Sequence, residues 1–376
     1  MKILVLCNKF HPKSTGAEKV VWDIYSYFID NFLGSEIEDI KFIIFDEIEK
    51  NYKKFLLKYI RIKIRNSWFL SFIEKNIKLT YFLYQKKLIN RFDIIHAHNL
   101  NPLYPCTLTT IHSTAALLYN LTKEKFSTRL NKKDLIFKMI KYIEKKHFNM
   151  STYLHILSKK NSKKILNFYN LENKEIYYIY NPVNIVNSIK LNNYKKIKKV
   201  KIGFVANRYK TKGIETLITI AKIIKHKPYN FIFYIYGPNT KELKYYLNII
   251  RTCKLPIFYK GFKDINSIVK EINLLILPTL WDTFGLVAAE CLSNGIPVII
   301  SRNAGVSEII RNKYNGFVCS KINDYLQVLK SINENKNLIK SMSINAIKTA
   351  IKEINLKKIA KNYLDMYTKI IARKKL

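Results

Sequence analysis

Leu277-Pro278-Thr279-Leu280-Trp281-Asp282-Thr283-Phe284-Gly285-Leu286-Val287-Ala288-Ala289-Glu290 decides how this chain folds. The apolar run Leu274-Leu275-Ile276-Leu277 reads as a buried strand, and Pro278, which has no N–H for a ladder, ends it. A loop through Trp281 follows. A helix is expected from about Thr283 or Phe284, with Asp282 or Thr283 as N-cap and Leu286, Val287 and Glu290 at helical spacing. It should stop at Asn294-Gly295, and Pro297-Val298-Ile299-Ile300 should start the next buried strand. Such a strand, loop and helix N-terminus leave N–H groups and a positive dipole end aimed at one place, a seat for phosphate. Two carboxylates frame it: Asp282 at the helix entrance, and Glu290 two turns on, on about the same face. A carboxylate beside a phosphate repels it unless the carboxylate grips something neutral, such as a ribose diol or sugar hydroxyls. The plainer reading makes Asp282 a cap and Glu290 a solvated helix residue.

At 376 residues the chain is long for one domain and comfortable for two, each with its own core. Its 48% hydrophobic content excludes a disordered chain despite the charge. Cys7, Cys106, Cys253, Cys291 and Cys319 are scattered, odd in number and without a CxxC pair, which argues for a reducing cytosol and against a zinc site. Lys+Arg 66 against Asp+Glu 27 gives a formal charge of +39. The basic residues are spread throughout, and no RNA-recognition, zinc-finger or basic-zipper pattern goes with them. Nucleic acid is therefore not the expected partner, and an anionic membrane surface fits the charge at least as well. The apolar start, residues 3–7, is too short for a signal peptide, and the longest stretch free of charged residues, 99–122, contains two prolines. The expectation is a cytoplasmic protein whose membrane contact, if it has one, is peripheral.

Along the chain, residues 2–7 form a first buried strand. A turn with Pro12 and Gly16 leads into an amphipathic helix over 17–32. Strand, Gly-bearing loop and helix suggest a Rossmann-like half, but Gly-x-Gly-x-x-Gly is missing and no dinucleotide cofactor is expected. After a strand at 41–45 comes a basic, aromatic-rich region, 51–91, in which Phe55, Leu56, Tyr59 and Ile60 share one helical face and Glu74 is the only acid. These helices either rest on anionic headgroups or face the core with a solvated basic side. Strands are expected at 93–98 and 107–111, the second ending at His112. A basic helical region spans 123–148, followed by a strand at 153–157, a helix at 159–168 after Ser158, and a strand at 176–180. The polar run 185–199 is the natural linker. A strand at 201–206, the loop Asn207-Arg208-Tyr209-Lys210-Thr211-Lys212-Gly213 and a helix at 214–225 open the second half. Strands at 231–236 and 257–259 follow, and helices fill 322–372.

Together these stretches resemble the retaining family 4 glycosyltransferases of GT-B fold, also called glycosyl transferases group 1. Their hallmark of two acids separated by seven residues, with Phe-Gly, Gly-x-Pro-Val and a Gly-bearing loop before another acid, reads here as Asp282, Phe284-Gly285, Glu290, Gly295-Ile296-Pro297-Val298 and Ala304-Gly305-Val306-Ser307-Glu308. Asp282 stands where the family has Glu. Thr15-Gly16-Ala17-Glu18 is similar to Gly-Gly-Ala-Glu, with Thr15 a departure. Asn181-Pro182-Val183-Asn184 resembles Asn-Gly-Val-Asp, and Arg208 to Gly213 matches Arg-x-x-x-Lys-Gly.

The resemblance implies an α/β protein of two doubly wound, Rossmann-like domains facing a cleft. The acceptor-side domain is 1–184, the linker 185–199 and the nucleotide-sugar domain 200–355, with a helix at 356–376 returning to the first domain. It implies transfer of a sugar from a nucleotide-diphosphate donor to a hydroxyl of a glycan or lipid-linked acceptor with retained configuration, in surface polysaccharide or lipopolysaccharide synthesis. Glu290 would hold the ribose, and Arg208 and Lys212 the diphosphate. Backbone N–H groups of Phe284, Gly285 and Leu286 would meet the leaving phosphate, and Asp282 the donor-sugar hydroxyls. Gly16 and Gly305 would allow close backbone approach, and Gly261 would wall the nucleobase. His112 would bond a sugar hydroxyl or, protonated, favour developing phosphate charge. No metal or other cofactor is expected, because Arg208 and Lys212 supply the positive charge. A sugar-nucleotide 2-epimerase of the same fold and a non-catalytic nucleotide-sugar-binding protein are the alternatives.

Overall fold

The computed structural model describes residues 1–63, 67–122, 132–185 and 199–374, in which two wholly parallel sheets build two units. Most of the expected linker, and residues 123–131 of the expected basic helical region, lie outside the described residues.

The first unit comprises Met1–Pro182 and Leu356–Leu376. Its elements are β1 (Lys2–Leu6), α1 (Ala17–Asn31), β2 (Asp39–Ile44), β3 (Leu56–Tyr59), α2 (Trp68–Gln85), β4 (Ile94–His98), β5 (Leu108–Ile111), α3 (Ala115–Thr122), α4 (Lys132–Met150), β6 (Tyr153–Ile156), α5 (Lys159–Tyr169) and β7 (Glu175–Tyr178). The sheet order is β3-β2-β1-β4-β5-β6-β7. Ile3, Leu4, Val5 and Leu6 of β1 are fully buried, as a central strand covered on both faces requires. The helical face expected from Phe55 to Ile60 is corrected: Leu56–Tyr59 is an edge strand paired with β2, with Lys58 and Tyr59 exposed at its end.

The second unit, Val183–Asn355, contains β8 (Val200–Val205), α6 (Ile214–Ile224), β9 (Phe231–Tyr236), α7 (Lys241–Thr252), β10 (Ile257–Tyr259), α8 (Ile265–Glu271), β11 (Leu274–Leu277), α9 (Leu286–Ser293), β12 (Val298–Ser301), β13 (Gly316–Cys319), α10 (Ile322–Glu334) and α11 (Asn337–Glu353). Its sheet order is β10-β9-β8-β11-β12-β13. All four residues of β11 are fully buried; each such Leu or Ile contributes about 1.5–3 kcal/mol over its exposed state. The last helix, α12 (Leu356–Lys374), belongs to the first unit, where it packs on α1. Among the described residues no helix is long and apolar enough to cross a membrane, and all five cysteines are free.

In both sheets the strand order reverses beside the unit's first strand, between β1 and β4 and between β8 and β11. Loops leaving the carboxyl ends of such a pair diverge and open a crevice, the usual ligand position in doubly wound sheets.

The first unit buries His96, His98, His112, His147 and His155. Burial pushes all five below the ordinary imidazole range, His112 to about 3 and His147 and His155 to about 4. They are neutral when folded, whereas an unfolded chain protonates them below about pH 6.5. Their contribution to stability is therefore intact above that pH and is lost as pH falls. Glu144 opposes them: burial lifts its carboxyl to about 7, so folding takes up one proton between about 7 and the ordinary carboxylate range. Glu18, also lifted by burial, adds to that opposition. Five histidines outweigh two carboxyls, so the first unit should lose stability from pH 7 to 5.5, readable as a fall in the urea midpoint of its unfolding. A midpoint that is level or higher at pH 5.5 would contradict the reading.

Candidate active site

At the switch point of the second unit, Arg208 and Lys212 come from the loop after β8, and Asp282 from the loop after β11. The two loops are docked backbone to backbone: Leu280 N–H donates to Thr211 O at 3.0 Å, and Thr279 Oγ1 donates to the same oxygen at 3.0 Å. Gly213 makes this approach possible. Its φ is +87°, and a Cβ there would stand 2.0 Å from the Pro278 carbonyl oxygen. The loop after β8 is itself held by Glu242, which accepts from the N–H groups of Tyr209 (3.1 Å) and Lys210 (2.8 Å), and by the buried Tyr209 hydroxyl donating to Pro238 O at 2.7 Å. Arg208 is left exposed at its tip.

Docking brings Lys212 Nζ onto Asp282 Oδ2 as an ion pair, both side chains being mostly covered. Asp282 is fixed on every side. Its Oδ1 accepts from Phe284 N–H at 3.3 Å, its own N–H donates to Asn303 O at 3.2 Å, and its carbonyl accepts from Gly305 N–H at 3.1 Å. Gly305 is buried and opens a short 3-10 turn (Gly305–Ile309). With its N–H engaged by the Asp282 carbonyl, it clamps the acid loop.

The helix after the acid loop begins later than its sequence suggests. α9 starts at Leu286 and is entered through Gly285, whose φ is +98°, with no side-chain cap. Asp282 and Thr283 are not the N-cap: the aspartate turns onto Phe284 N–H and Lys212 instead, a short-range alternative open to Asp at such turns. Glu290 then lies four residues into the helix, about one turn rather than two. It is half-buried, on the same face as Leu286. α6 is entered in the same way through Gly213, again without a side-chain cap, whereas α7 and α8 are capped by Thr240 and Asp264. Two helices whose first turns no side chain caps thus start from the two loops that carry Arg208, Lys212 and Asp282. Among the described residues no three His, Cys, Asp or Glu side chains gather into a group that could hold a metal.

Gly261 has φ +78°, and its carbonyl accepts from Gly237 N–H at 3.0 Å, next to the exposed Phe262. In the first unit Gly16 enters α1 with φ +61°, also without a side-chain cap. Glu18, in the first turn, accepts from Asn8 Nδ2 (3.1 Å) and Lys9 N–H (3.4 Å) and so ties the helix start to the loop after β1. His112 ends β5 and is buried, with Nε2 3.0 Å from His98 Nδ1. Burial followed by the charge of His155 drives it down to about 3, so of the two roles weighed for His112 the neutral ring fits and the protonated one does not.

Residues 187–354 match the family model described as Glycosyl transferases group 1. The second unit is a group 1 glycosyltransferase domain. A solved sucrose-phosphate synthase from Thermosynechococcus elongatus superposes with a TM-score of 0.73 at 14% identity over 99% of both chains. An Anabaena protein, Alr3699/HepE, solved with UDP-glucose, superposes at 0.66 with 15% identity over 98% of this chain and all of that one. These likenesses give the chain the GT-B fold. An Escherichia coli UDP-Gal:alpha-D-GlcNAc-diphosphoundecaprenol alpha-1,3-galactosyltransferase is 26% identical over 141 residues, covering 37% of this chain and 36% of that enzyme. The chain spans 65% and 36% of the lengths of the first curated relatives it matches.

The group 1 domain therefore depends on Gly213 for the meeting of its two loops. Gly213→Ala should cost more than about 2 kcal/mol, the left-handed strain plus a backbone clash. Gly261→Ala carries similar strain, but its Cβ meets nothing within 4 Å, so it should cost only about 1–2 kcal/mol. Equal losses for the two variants in chemical denaturation would refute the docking role.

Proposed function

We propose that this protein transfers a sugar, with retained configuration, from a nucleotide-diphosphate donor to a hydroxyl of a glycan or lipid-linked acceptor in bacterial surface polysaccharide or lipopolysaccharide synthesis. One observation carries the reading: at the switch point of a group 1 domain Lys212 pairs with Asp282, Arg208 stands on the same loop as Lys212, and the helices that follow the two loops start without side-chain caps, Glu290 lying one turn into the second. The diphosphate takes the Arg208 fork, the Lys212 ammonium and the amides of Gly285 and Leu286. Glu290 holds the ribose diol, and Asp282 orients donor-sugar hydroxyls while holding Lys212. Phe284 serves through the turn it makes with Asp282, and Gly261 and Phe262 form a wall for the nucleobase. The donor's UDP in the relative's name and the UDP-glucose in the Anabaena structure support a nucleotide sugar.

With both acids engaged in binding, no nucleophile or general base is assigned. The leaving phosphate takes the acceptor proton on the face from which it departs, and catalysis consists of positioning and charge stabilisation. Because cationic side chains neutralise the diphosphate, metal independence is part of the proposal.

A thermal-shift panel of UDP, GDP and ADP sugars identifies the donor, since a ligand of the folded state alone raises the midpoint. With that donor, Glu290→Ala and Lys212→Ala should each lower turnover by a factor of a hundred or more while keeping the fold by circular dichroism, and EDTA should leave the parent rate unchanged. Near-normal turnover in folded Glu290→Ala, or activity lost to EDTA and restored by manganese, would break the assignment. Isomerised donor without acceptor would mean an epimerase; donor binding without turnover would mean a binding protein.

We propose further that the first unit rests on anionic lipid. Trp68 and Tyr81 of α2 and Leu135, Met139 and Tyr142 of α4 are exposed, Trp68 stacks on Phe137 of α4, and Lys138, Lys141, Lys145 and Lys146 lie among them. Each lysine near the headgroups adds on the order of 1 kcal/mol. Sedimentation with anionic vesicles should exceed that with neutral ones and fall with salt. Equal recovery would sink this part.

A further inference from the structure

Four of the five buried histidines of the first unit, His96, His98, His112 and His155, lie on one continuous hydrogen-bonded chain, and its direction can be worked out from its far end. The Ile179 carbonyl oxygen can only accept. His155 Nε2, 2.9 Å away, therefore carries a proton, and in the neutral ring Nδ1 must accept. Thr110 Oγ1, 2.8 Å from that nitrogen, donates to it. Tyr363 OH, 3.3 Å from the same Nδ1, is the more distant donor, and the 2.8 Å contact gives that place to Thr110. Having given its proton away, Thr110 Oγ1 accepts from His96 Nε2 at 2.6 Å. His96 Nδ1 is then an acceptor, facing Tyr367 OH at 2.6 Å and Tyr25 OH at 2.9 Å.

The two phenol oxygens are 2.7 Å apart. Tyr367 gives its single proton to His96 at the shortest contact. Tyr25 must then give its own to Tyr367, because otherwise two oxygens would meet at 2.7 Å with no proton between them. The Tyr25 oxygen is thereby left to accept from His98 Nε2 at 3.0 Å, and His98 Nδ1 to accept from His112 Nε2 at 3.0 Å. The burial that keeps each ring neutral supports this single-proton accounting.

We infer that this relay fixes His112 as the Nε2–H tautomer, so that its Nδ1 is a hydrogen-bond acceptor for a sugar hydroxyl. Tyr25, His96, His98, Thr110, His155 and Tyr367 are then positioning residues. They transmit to His112 a polarity set by one backbone carbonyl. The tautomer follows from the first unit alone; the sugar hydroxyl as its ligand rests on the transferase reading.

Two-bond proton–nitrogen correlation spectra of the full chain, with 15N-labelled histidine, read the tautomers directly. His96, His98, His112 and His155 should all show the Nε2–H pattern and none should titrate between pH 6 and 8. Thr110→Val removes the hydroxyl while keeping the side-chain shape. His96 then loses its acceptor, and the chain beyond it is free to reverse, so His112 should show an Nδ1–H population. Thr110→Ser should restore the parent pattern, and Tyr25→Phe, which cuts the chain at a different link, should also release His98 and His112. An Nδ1–H or cationic His112 in the unmodified protein overturns the inference, as does an unchanged His112 in folded Thr110→Val. Turnover should fall at least tenfold in Thr110→Val and recover in Thr110→Ser; an unchanged rate beside altered spectra would remove the sugar hydroxyl and leave the tautomer standing. Should the chain not transfer sugar at all, the spectra decide alone.

Discussion

The second unit is governed by one close approach. The Pro278 carbonyl stands where any side chain at position 213 would be. A parallel sheet places the carboxyl ends of β8 and β11 on one edge, and the reversal of strand order sends the helices that follow to opposite faces. Loops diverging in this way would ordinarily separate. A residue without a Cβ lets them touch, and the touch sets where the functional groups go. Lys212, one residue before that glycine, is brought onto Asp282, and α6 and α9 both begin at the contact. A substitution at Gly213 would therefore disturb ion pair and helix starts together.

Much of this was legible in the sequence because it rests on period and punctuation. β11, β12, α6 and the alternation of strand and helix follow from apolar runs bounded by proline and glycine, and Ser158 caps α5 as its position suggests. The residues brought together at the switch point were named from their order along the chain. Two kinds of information were not local. Helix entry through a left-handed glycine is invisible to a reading that looks for Ser, Thr, Asp or Asn as a cap, and so the expected start at Thr283 or Phe284 falls before the observed one at Leu286. The glycines at 213 and 285 were the available signal. Likewise Phe55, Leu56, Tyr59 and Ile60 match a helical face as well as a strand, and pairing with β2, a matter of tertiary position, decided for the strand.

The histidines show a third limit. His96 and His98 alternate with Ala97 in a fully buried strand, which by itself suggests packing. Their role depends on Tyr25 from α1, 71 positions from His96, and on Tyr367 from α12, 271 positions from it. No spacing rule links those residues. What the sequence does show is an excess of polar side chains, Thr109, Thr110, His96, His98 and His155, in strands that must be buried, and buried polar groups oblige partners. An inventory of such groups is the nearest a sequence comes to predicting a network.

The charge of the seat bears on how it would recognise an anion. Arg208 and Lys212 are set against Asp282 and Glu290, two cationic and two acidic side chains, so the seat carries little of the chain's large positive charge. A diphosphate could not be held there by net charge. It would be held by direction: a planar guanidinium fork, amide N–H groups at helix starts, and an ammonium already aimed by its aspartate. The surplus of lysine elsewhere acts at longer range and is screened by salt within about 10 Å at ordinary ionic strength. It raises the local concentration of anions, a nucleotide sugar or a lipid surface alike, without choosing among them. On the proposed reading, discrimination would fall to the acids, since a ligand offering hydroxyls beside its phosphates would satisfy Glu290 and Asp282 while occupying Arg208 and Lys212.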